Sequence, residues 1–208
     1  MKVRLIRHAE SAANAGLPTT RPDAIPLTDL GNLQAEKLAA SITQAPDLII
    51  SSPFERALHT ALPTALRFSE VPMDIWQVEE FTYLSPGRFA STTQADRKPA
   101  ADDYWRTADA MAVDGPGAES FARLLARAQS MLDRLSGLNV ENVAIFSHGQ
   151  FIRAVAWLIK HGQAAGQPEQ MREFRRLDAL VQMRNCDSYQ LALTDGRWSV
   201  DYNLTMEV

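Results

Sequence analysis

The order of apolar and periodic segments predicts an α/β fold, a three-layer α/β/α sandwich in which a mostly parallel central sheet lies between two layers of helices. Apolar runs at residues 3–6 and 143–146 alternate with amphipathic segments, and the second run is typical of a strand buried on both faces. Asp195-Gly196 separates two late apolar runs, which predicts a hairpin and therefore antiparallel strands toward the C-terminus. A chain of 208 residues, 46% of them hydrophobic, suits a single domain over 1–208.

Composition and charge exclude several classes of protein. The net charge of -4 gives no general attraction to nucleic acid or to anionic membranes, so an anion-binding site must be local. The apolar stretch at 3–6 is too short for a signal peptide, and no segment approaches the ~18 apolar residues of a membrane span. Cys186 is the single cysteine, which excludes an intrachain disulfide, and we expect it inside or at the edge of a late strand. We therefore expect a cytoplasmic protein with no nucleic-acid or membrane partner, and the sequence leaves open whether it forms a homodimer.

The first predicted strand ends at Arg7 and His8, where an open α/β sheet offers a ligand site. Taken alone, such a pair is also compatible with a solvated turn. Residues 11–26 are rich in alanine, threonine and proline without a hydrophobic period, which predicts a surface loop. Thr28 is the expected N-cap of the helix that follows. The buried face of this helix should carry Leu30, Leu33, Leu38 and Ile42.

A second strand at 47–50 leads into a helix that Ser52 should cap, with Pro53 in its first turn. Arg56 falls in that turn, beside the positive end of the helix dipole, where a cation is disfavoured unless an anion is held nearby. We therefore favour an anion partner for Arg56 over a free position on the surface. Pro63 should kink or end the same helix.

A third strand at 71–78 leads to two adjacent acids, Glu79 and Glu80. Paired carboxylates at a strand end suggest proton transfer, although charged strand ends are also common without it. If the extended backbone persists, the two side chains point to opposite faces of the strand, so only one of them enters a site.

Residues 81–117 differ from the rest of the chain in being rich in proline, threonine, alanine and aspartate. Two of their aromatics, Tyr104 and Trp105, are expected on a short helix. The segment forms either a lid over the active edge of the sheet or an excursion that only packs on it, and the sequence leaves both open.

A strongly amphipathic helix is predicted from residue 118, and the buried strand at 143–146 follows it. This strand ends in Ser147-His148, which places a second histidine at a strand end. The apolar face of the helix carries Phe121, Leu124, Leu125, Ala128, Leu132 and Leu135.

The next helix is predicted at 151–160, directly after the second histidine. Gly149 and Gln150 therefore offer their backbone amides at a positive helix N-terminus, where anions bind. The chain continues with a basic helix at 171–177 and ends with strands at 189–193 and 198–202.

Arg7, His8, Arg56, Glu80 and His148 all follow strand ends, and parallel strands bring such ends together at one edge. With these residues in this order, the sequence resembles the histidine phosphatase superfamily and its phosphoglycerate mutase-like fold. The resemblance covers nearly the whole chain and rests on ordered blocks: Arg7-His8-Ala9-Glu10 with Asn14, Leu27-Thr28 with Gly31, Gln34 and Ala35, Ser51-Ser52-Pro53 with Arg56-Ala57 and Thr60-Ala61, Val78-Glu79-Glu80, Glu119-Ser120 with Arg127, Ser147-His148-Gly149, and Asn185. Two positions depart from the family pattern: Ala9 stands where glycine is commonest, and Gln150 where small or other residues are usual.

The resemblance implies the machinery of phosphoryl transfer. His8 matches the nucleophile that carries the phosphoryl group as a phosphohistidine. Arg7 and Arg56 match the phosphate clamp, with planar forks that give bidentate hydrogen bonds, and His148 would be a further donor.

The resemblance also implies a proton donor and further substrate contacts. Glu80 matches the family's acid, because it occupies the third place of Val78-Glu79-Glu80, and Glu79 is the second choice. Asn14 matches a position that reaches the transferred group or the substrate. With the amides of Gly149 and Gln150, it completes the predicted phosphate and substrate contacts.

We therefore expect a phosphomonoester hydrolase of the histidine acid phosphatase type that acts on a small phosphorylated metabolite without a metal or a cofactor. A zinc site at His8 and His148 is the rival chemistry, but the adjacent arginines repel a cation and no short histidine ligand motif is present. Two other functions fit the same residues. They are a phosphoglycerate mutase-type phosphotransferase and a module that binds a phosphorylated ligand without turnover.

Charge in the central segment favours hydrolysis over isomerisation. A mutase needs further cations for the second anionic group of its substrate. Between Phe81 and Glu119 the four bases are opposed by five acids, so the stretch is net acidic by one, although a single arginine folded toward the site could still bind a second anion. The bases are Arg88, Arg97, Lys98 and Arg106, and the acids are Asp96, Asp102, Asp103, Asp109 and Asp114.

Overall fold

The computed structural model describes residues 1–162 and 166–201. Its strands are β1 (Lys2–Arg7), β2 (Leu48–Ser51), β3 (Met73–Ile75), β4 (Asn142–Ser147), β5 (Ser188–Thr194) and β6 (Arg197–Asp201). They form one six-stranded sheet in the order β3-β2-β4-β1-β5-β6. Strands β1 to β4 are parallel to one another, whereas β5 pairs antiparallel with both β1 and β6. The predicted mixed sheet is therefore confirmed.

The helices in these ranges are α1 (Asp29–Ser41), α2 (Glu55–Arg67), α3 (Gln94–Thr107), α4 (Phe121–Ser136), α5 (Gly149–His161) and α6 (Pro168–Leu180). Within the described residues, none of them is long and apolar enough to cross a membrane. The basic helix predicted at 171–177 is the central part of α6, which Pro168 begins at a position where a missing backbone donor costs nothing.

Side chains alternate between the two faces of the sheet, as extended strands require. On β1, Val3 and Leu5 join a cluster with α4 and α5, whereas Ile6 joins a second cluster with α1 and α2. The first cluster also includes Trp105 of α3 and Phe174 of α6. Helices therefore cover both faces, and the three-layer architecture is confirmed.

Helix α4 buries the face that the sequence predicts. Its buried residues are Phe121, Leu124, Leu125, Ala128, Met131, Leu132 and Leu135. Ser120 caps the helix by accepting a hydrogen bond from the backbone N–H of Arg123.

Helix α1 begins after the predicted N-cap, Thr28, but its buried face is rotated from the predicted one. Leu30 and Leu33 are exposed, and the prediction that they are buried was wrong. The cause is Gly31, where a Cβ atom would lie 2.0 Å from the carbonyl oxygen of Glu10. Because only glycine allows this approach, α1 turns Gly31 toward the sheet and directs both leucines outward. The residues that α1 buries are Gly31, Ala35, Leu38 and Ala39.

Helix α2 differs from the prediction at its start and near its end. It begins at Glu55 with Phe54 as N-cap, so Ser52 is not the cap and Pro53 precedes the helix. The hydroxyl of Ser52 instead accepts a hydrogen bond from the Phe54 N–H at 3.2 Å. Pro63 lies inside the helix without ending it, since α2 continues to Arg67.

Strand β3 is shorter than the predicted strand at 71–78. The N–H of Trp76 still bonds to the Ser51 carbonyl of β2 at 3.0 Å, but the N–H of Val78 bonds to the carbonyl of Trp76 rather than to a neighbouring strand. Trp76 and Val78 are nevertheless buried in the core, which explains why the apolar pattern continues beyond the strand.

Within the central segment, Tyr104 and Trp105 lie on α3, as predicted. A capping box of Thr93 and Asp96 begins this helix. Trp105 is 4% exposed and packs against Phe121 and Phe174 with ring centroids 5.9 and 5.8 Å away. Aromatic contacts therefore join α3 to the core on the α4 side of the sheet.

The C-terminal hairpin confirms the predicted turn. Asp195 and Gly196 both have positive φ, at 50° and 72°, as a type I′ turn requires. Cys186 is buried just before β5, close to its predicted position at a strand edge. Tyr202, which the prediction included in the last strand, lies outside the described residues.

Candidate active site

The carboxyl ends of β1, β2 and β4 meet at one edge of the sheet, where a cavity of about 420 Å³ opens. Arg7, His8, Arg56 and Glu80 line this cavity. His148 lies behind His8, with 5.1 Å between the two ring centroids. The five residues that the sequence places at strand ends are therefore neighbours in the structure.

The ring of His8 is held in one tautomer. Its Nδ1 lies 2.7 Å from the carbonyl oxygen of Ala9, which can only accept, so Nδ1 carries the proton. Its Nε2 accepts a hydrogen bond from Nε of Arg56 at 3.2 Å. Burial, and then the charges of Arg56 and Arg7, lower the pKa of His8 well below its usual 6.5. At pH 7 the ring is therefore neutral, and its lone pair is on Nε2.

The backbone of the turn that carries His8 is fixed from three sides. The N–H of His8 donates to the Ser147 carbonyl at 2.9 Å, and the N–H of Ala9 donates to Oγ1 of Thr60 at 2.9 Å. The carbonyl of His8 accepts a hydrogen bond from Nδ2 of Asn185 at 2.9 Å. Neither Thr60 nor Asn185 was a predicted site residue. The helical spacing of Thr60, four residues after Arg56, was the sequence signal for the first of them.

Arg7 and Arg56 are each anchored by a carbonyl oxygen from outside the sheet. Nη1 of Arg7 donates to Met183, and Nη1 of Arg56 donates to Pro22 at 2.6 Å. Burial lowers the pKa of Arg56 to about 10, and burial also lowers the pKa of Arg7. Because Arg56 remains charged at neutral pH even so, the cavity keeps fixed positive charge beside Nε2 of His8.

His148 is fully buried and contacts Ser52, whose Oγ lies 2.8 Å from its Nε2. The Ser52 hydroxyl also accepts from the Phe54 N–H at 3.2 Å, and it can either donate to Nε2 of His148 or accept from it. Within the described residues, Nδ1 of His148 has no hydrogen-bond partner. Burial, and then the charge of Arg56, lower the pKa of His148 well below 6.5. The ring of His148 is therefore neutral at pH 7 and is held beside His8 by Ser52.

Asn14 lines the same cavity and is oriented by its neighbours. Its Oδ1 accepts from the backbone N–H of Ser11 at 3.2 Å and from Nδ2 of Asn185 at 3.1 Å. With the oxygen used in this way, the amide nitrogen of Asn14 remains as a donor. Asn185 thus orients both Asn14 and the turn of His8.

Glu80 lies in the cavity with its carboxyl group on two backbone amides. Its Oε1 accepts from the N–H of Phe81 at 3.0 Å and from the N–H of Gln150, at the start of α5, at 3.1 Å. Burial raises the pKa of Glu80 above its usual 4.5, and the charge of Arg56 opposes this rise. The carboxyl group is therefore positioned by rigid backbone, and its affinity for a proton is increased.

Glu79 does not line the cavity and instead forms an ion pair with Arg127, a residue to which the sequence gave no role. The Arg127 guanidinium donates to Glu79 Oε2 at 3.1 Å, to Glu119 Oε1 at 2.6 Å and to the Gln77 carbonyl at 3.1 Å. It also donates to the carbonyl of Glu79 at 3.2 Å. Arg127 therefore fixes the backbone that leads directly into Glu80.

Gly149 and Gln150 lie beside Arg7 and Glu80, as expected for residues at the N-terminus of α5. A Cβ atom at Gly149 would lie 3.7 Å from Nε of Arg7, which is an ordinary contact. The amide of Gln150 bonds to Glu80, and its side chain donates to Asp178 at 3.3 Å. Both residues also line a second cavity of about 620 Å³ that adjoins the first.

The outer wall of the first cavity comes from the segment that the sequence analysis places at 81–117. Tyr83, Phe89 and Arg97 line it together with Thr19 of the opposite loop. The two walls are joined, because Thr19 forms an isolated antiparallel bridge with Thr92. The segment thus covers the active edge in this structure, and its movement as a lid stays a prediction.

His8 and His148 are the pair on which a metal site would depend. Their Nε2 atoms bond to Arg56 and Ser52 respectively. Within residues 1–162 and 166–201, no group of three or more histidine, cysteine, aspartate or glutamate side chains is arranged to hold a metal ion.

Comparison with known families identifies the group to which this site belongs. The model of the histidine phosphatase superfamily, branch 1, matches residues 3–203. The chain belongs to the histidine phosphatase superfamily. This confirms the resemblance that the sequence blocks indicated.

Proteins similar to this chain include several that are named as phosphatases. An adenosylcobalamin/alpha-ribazole phosphatase of Salmonella typhimurium is 34% identical over 155 residues, which cover 71% of this chain and 74% of that protein. A mycobacterial glucosyl-3-phosphoglycerate phosphatase, solved in complex with VO3, has 27% identity and a TM-score of 0.73 over 96% of each chain. An alpha-ribazole phosphatase from Shigella flexneri has a TM-score of 0.74 over 97% of this chain and 95% of its own, and at 22% identity it supports the fold alone.

The family departure at Ala9 is accommodated in this histidine phosphatase. Ala9 is not among the described residues with positive φ, so its backbone does not require glycine. Its methyl group is fully buried in the cluster on the α1 side of the sheet, together with Ile6 and Ala61. The second departure, Gln150, has a specific partner in Asp178.

Proposed function

We propose that this histidine phosphatase superfamily member hydrolyses the phosphomonoester of a small metabolite through a phosphohistidine on His8, without a metal ion. The observation that carries the proposal is the buried, neutral ring of His8, with its lone pair on Nε2 beside Arg56. Phosphoryl transfer needs an in-line nucleophile and fixed positive charge around the equatorial oxygens. His8 supplies the nucleophile, and Arg7 and Arg56 supply the charge.

In the first step, the phosphate of the substrate takes over the hydrogen bonds of Arg56, which frees Nε2 of His8 to attack phosphorus. The P–N bond forms as the bond from phosphorus to the leaving oxygen breaks. Glu80 gives its proton to that oxygen, a role that its raised pKa favours. We expect the N–H of His148 and the amide of Asn14 to donate to the phosphoryl oxygens.

In the second step, Glu80 acts as a base toward water. It takes a proton from the water molecule as the water oxygen attacks phosphorus, and the P–N bond breaks. His8 returns to its neutral form with the proton still on Nδ1, because the Ala9 carbonyl holds it there. Inorganic phosphate then leaves with Glu80 protonated for the next cycle.

Water as the acceptor is supported by the similar proteins of known activity, which are named as phosphatases. Their substrates differ, so the identity of the leaving group must be read from the outer cavity of this chain. Alpha-ribazole phosphate and glucosyl-3-phosphoglycerate therefore belong in a substrate screen beside common phosphorylated metabolites.

The proposal is tested by hydrolysis of 4-nitrophenyl phosphate with and without EDTA. We expect turnover that EDTA leaves unchanged. Loss of activity in EDTA would indicate a metalloenzyme, and no turnover of this ester or of any screened metabolite would indicate a module that only binds its ligand. Both results contradict the proposal.

A second assay separates hydrolysis from isomerisation. The enzyme is incubated with 3-phosphoglycerate and primed with 2,3-bisphosphoglycerate, and both 2-phosphoglycerate and free phosphate are followed. Rapid isomerisation with negligible release of phosphate would assign a mutase and leave the chemistry of His8 intact. We expect release of phosphate to exceed isomerisation.

A further inference from the structure

The outer half of the active-site cavity is more positive than the composition of its segment suggests. Arg97, Lys98 and Arg175 line the cavity in addition to Arg7 and Arg56. Among the described residues that line it, Glu80 is the only carboxylate. A site for one phosphate does not need this much positive charge, since Arg7 and Arg56 already bracket His8.

The acids of residues 81–117, which make this segment net negative, do not line the cavity. Asp102 and Asp103 lie on the exposed side of α3, with side chains 50% and 69% exposed. Asp114 pairs with Arg88, and Asp96 caps the helix. The net charge of residues 81–117 therefore does not predict the charge of the residues that line the cavity.

Arg97 is the cation in this outer group that has no ion-pair partner among the described residues, and the neighbouring Asp96 acts on its charge only from beyond ion-pair distance. Lys98 pairs with Asp102, and Arg175 pairs with Asp178. In the part of the chain that the structure describes, no carboxylate forms an ion pair with Arg97, whose Nη1 donates only to the neutral Oγ1 of Thr19 at 3.3 Å.

The position of Arg97 is also fixed and partly dehydrated. Thr19 holds the guanidinium from the opposite loop, and burial lowers the pKa of Arg97. A half-buried guanidinium that lacks an ion-pair partner favours an anionic ligand, because part of the cost of removing it from water has already been met by folding.

We infer that the leaving group of the substrate carries a second anionic group, a carboxylate or a phosphate, that Arg97 binds. This inference rests on the proposed function, since it assigns the substrate class of the same cavity. The aromatic rings of Tyr83 and Phe89 line the wall beside Arg97 and would contact the carbon skeleton between the two anions. A single arginine that lines the cavity is thus sufficient to bind the second anionic group, and water remains the proposed acceptor of the phosphoryl group.

The test compares three aryl esters with the wild type and two variants. Phenyl phosphate has a neutral leaving group, whereas 4-(carboxymethyl)phenyl phosphate and 4-(phosphonomethyl)phenyl phosphate carry a carboxylate and a phosphonate. Arg97→Gln removes the proposed contact. Arg106→Gln is the matched control on the same helix, because Arg106 is 79% exposed and does not line the cavity.

We expect the wild type to prefer at least one anionic ester over phenyl phosphate in kcat/KM, and Arg97→Gln to reduce this preference about tenfold, which is the effect of one charge-assisted hydrogen bond. Arg106→Gln should retain the preference. A preference for the carboxylate ester alone would assign a sugar-acid type of leaving group, and one for the phosphonate ester alone would assign a bisphosphate. Added salt should weaken either preference.

An equal response of all three esters in the wild type, or an unchanged preference in Arg97→Gln, would overturn the inference while leaving the hydrolase in place. If no ester is hydrolysed, the proposed function fails, and the inference is then decided by calorimetric binding of the same esters. Tighter binding of an anionic ester to the wild type than to Arg97→Gln supports it, and equal binding contradicts it.

Discussion

The two ends of the active-site cavity are built differently. At the inner end, backbone carbonyls hold the reactive side chains: Ala9 holds His8, Pro22 holds Arg56, and Met183 holds Arg7. At the outer end, side chains hold one another, as Thr19 holds Arg97. A backbone carbonyl has no side-chain torsions of its own, so it fixes its partner more firmly than a side chain does. The inner end is therefore suited to one invariant chemistry, and the outer end to the choice of leaving group.

The segment that forms the outer end of the cavity is nevertheless attached to the hydrophobic core. Trp105 packs into the core against Phe121 and Phe174, so it stabilises the segment and does not line the cavity. Phe81, Tyr83 and Phe89 of the same segment line the cavity. Helix α3 thus has one side in the core, with Trp105, and another that lines the cavity, with Arg97.

The largest effect is expected at the inner end, from His8→Ala. This variant should lose activity by at least ~10⁴-fold, because removal of a covalent nucleophile removes the intermediate itself. Acid-quenched wild type exposed to ³²P-labelled substrate should carry an acid-labile, base-stable label on His8. Scintillation counting and peptide mapping would check both results.

The control for this experiment is Arg134→Ala, on an exposed face of α4, which should label as the wild type does. Label recovered from a residue other than His8, or full turnover by His8→Ala, would show that the inner end does not work by this chemistry.

Next in size is Glu80→Gln, which removes the acid and keeps the shape of the side chain. Hydrolysis of glycerol 3-phosphate should slow by roughly 10²–10⁴, because an alkoxide leaves poorly without a proton. Hydrolysis of 4-nitrophenyl phosphate should slow far less, since nitrophenolate needs little protonation. Steady-state kinetics on both substrates measure the difference.

Glu79→Gln is the matched control, because Glu79 pairs with Arg127 outside the cavity and should show no such dependence on the leaving group. The pH profile gives a second readout. Because Glu80 must be protonated, kcat/KM for glycerol 3-phosphate should fall as pH rises through the raised pKa of Glu80. Because His8 must be neutral, kcat/KM should also fall at low pH, with a midpoint below pH 6.5. Equal losses for both substrates in Glu80→Gln would assign the acid to another group.

The smallest effect on catalysis is expected from Arg127→Met, which tests how firmly the inner end holds Glu80. The change leaves Glu79 and Glu119 without their partner, with side chains only 22% and 13% exposed. We expect a loss of roughly 3 kcal/mol in the free energy of unfolding, and about a tenfold loss with glycerol 3-phosphate through displacement of Glu80.

Urea denaturation and kinetics measure these two quantities, with Arg134→Met on the same helix as control. Arg134 is 56% exposed, its pair with Asp74 spans 3.8 Å, and it lies over the Trp76 ring, where methionine can still pack, so stability should fall by clearly less than in Arg127→Met. If Arg127→Met slowed glycerol 3-phosphate and 4-nitrophenyl phosphate to the same degree, its role would be structural only.

The sequence predicted the inner end well because strand ends are a local signal. Arg7, His8, Arg56 and His148 each follow a strand or begin a helix, and the parallel sheet then brings them together. The contacts that refine this end were not predictable, since Met183, Pro22 and Asn185 approach from distant parts of the chain. Hydrophobic periodicity does not predict which backbone carbonyl an arginine side chain contacts in the folded protein.

The errors in the fold have the same origin. The pattern of α1 predicted Leu30 and Leu33 inside, but the close approach of Gly31 to Glu10 rotated the helix. Burial of Val78 beyond the sheet made β3 look longer than it is. In each case a tertiary contact overrode a local pattern.

The central position of β1 has a consequence for how the catalytic turn is completed. Lys2 of β1 pairs with Asn142 of β4 on one side and with Ala192 of β5 on the other. Both neighbours lie far along the chain, so the strand that carries His8 gains its pairing only through the closure of very long loops, which is slow. During synthesis, β1 therefore stays without its partner strands until β4 and β5 have been made. Phosphatase activity on a ribosome-bound chain should then be detected only after β5 has been synthesised. Until that point, the unpaired β1 is a segment to which a chaperone can bind.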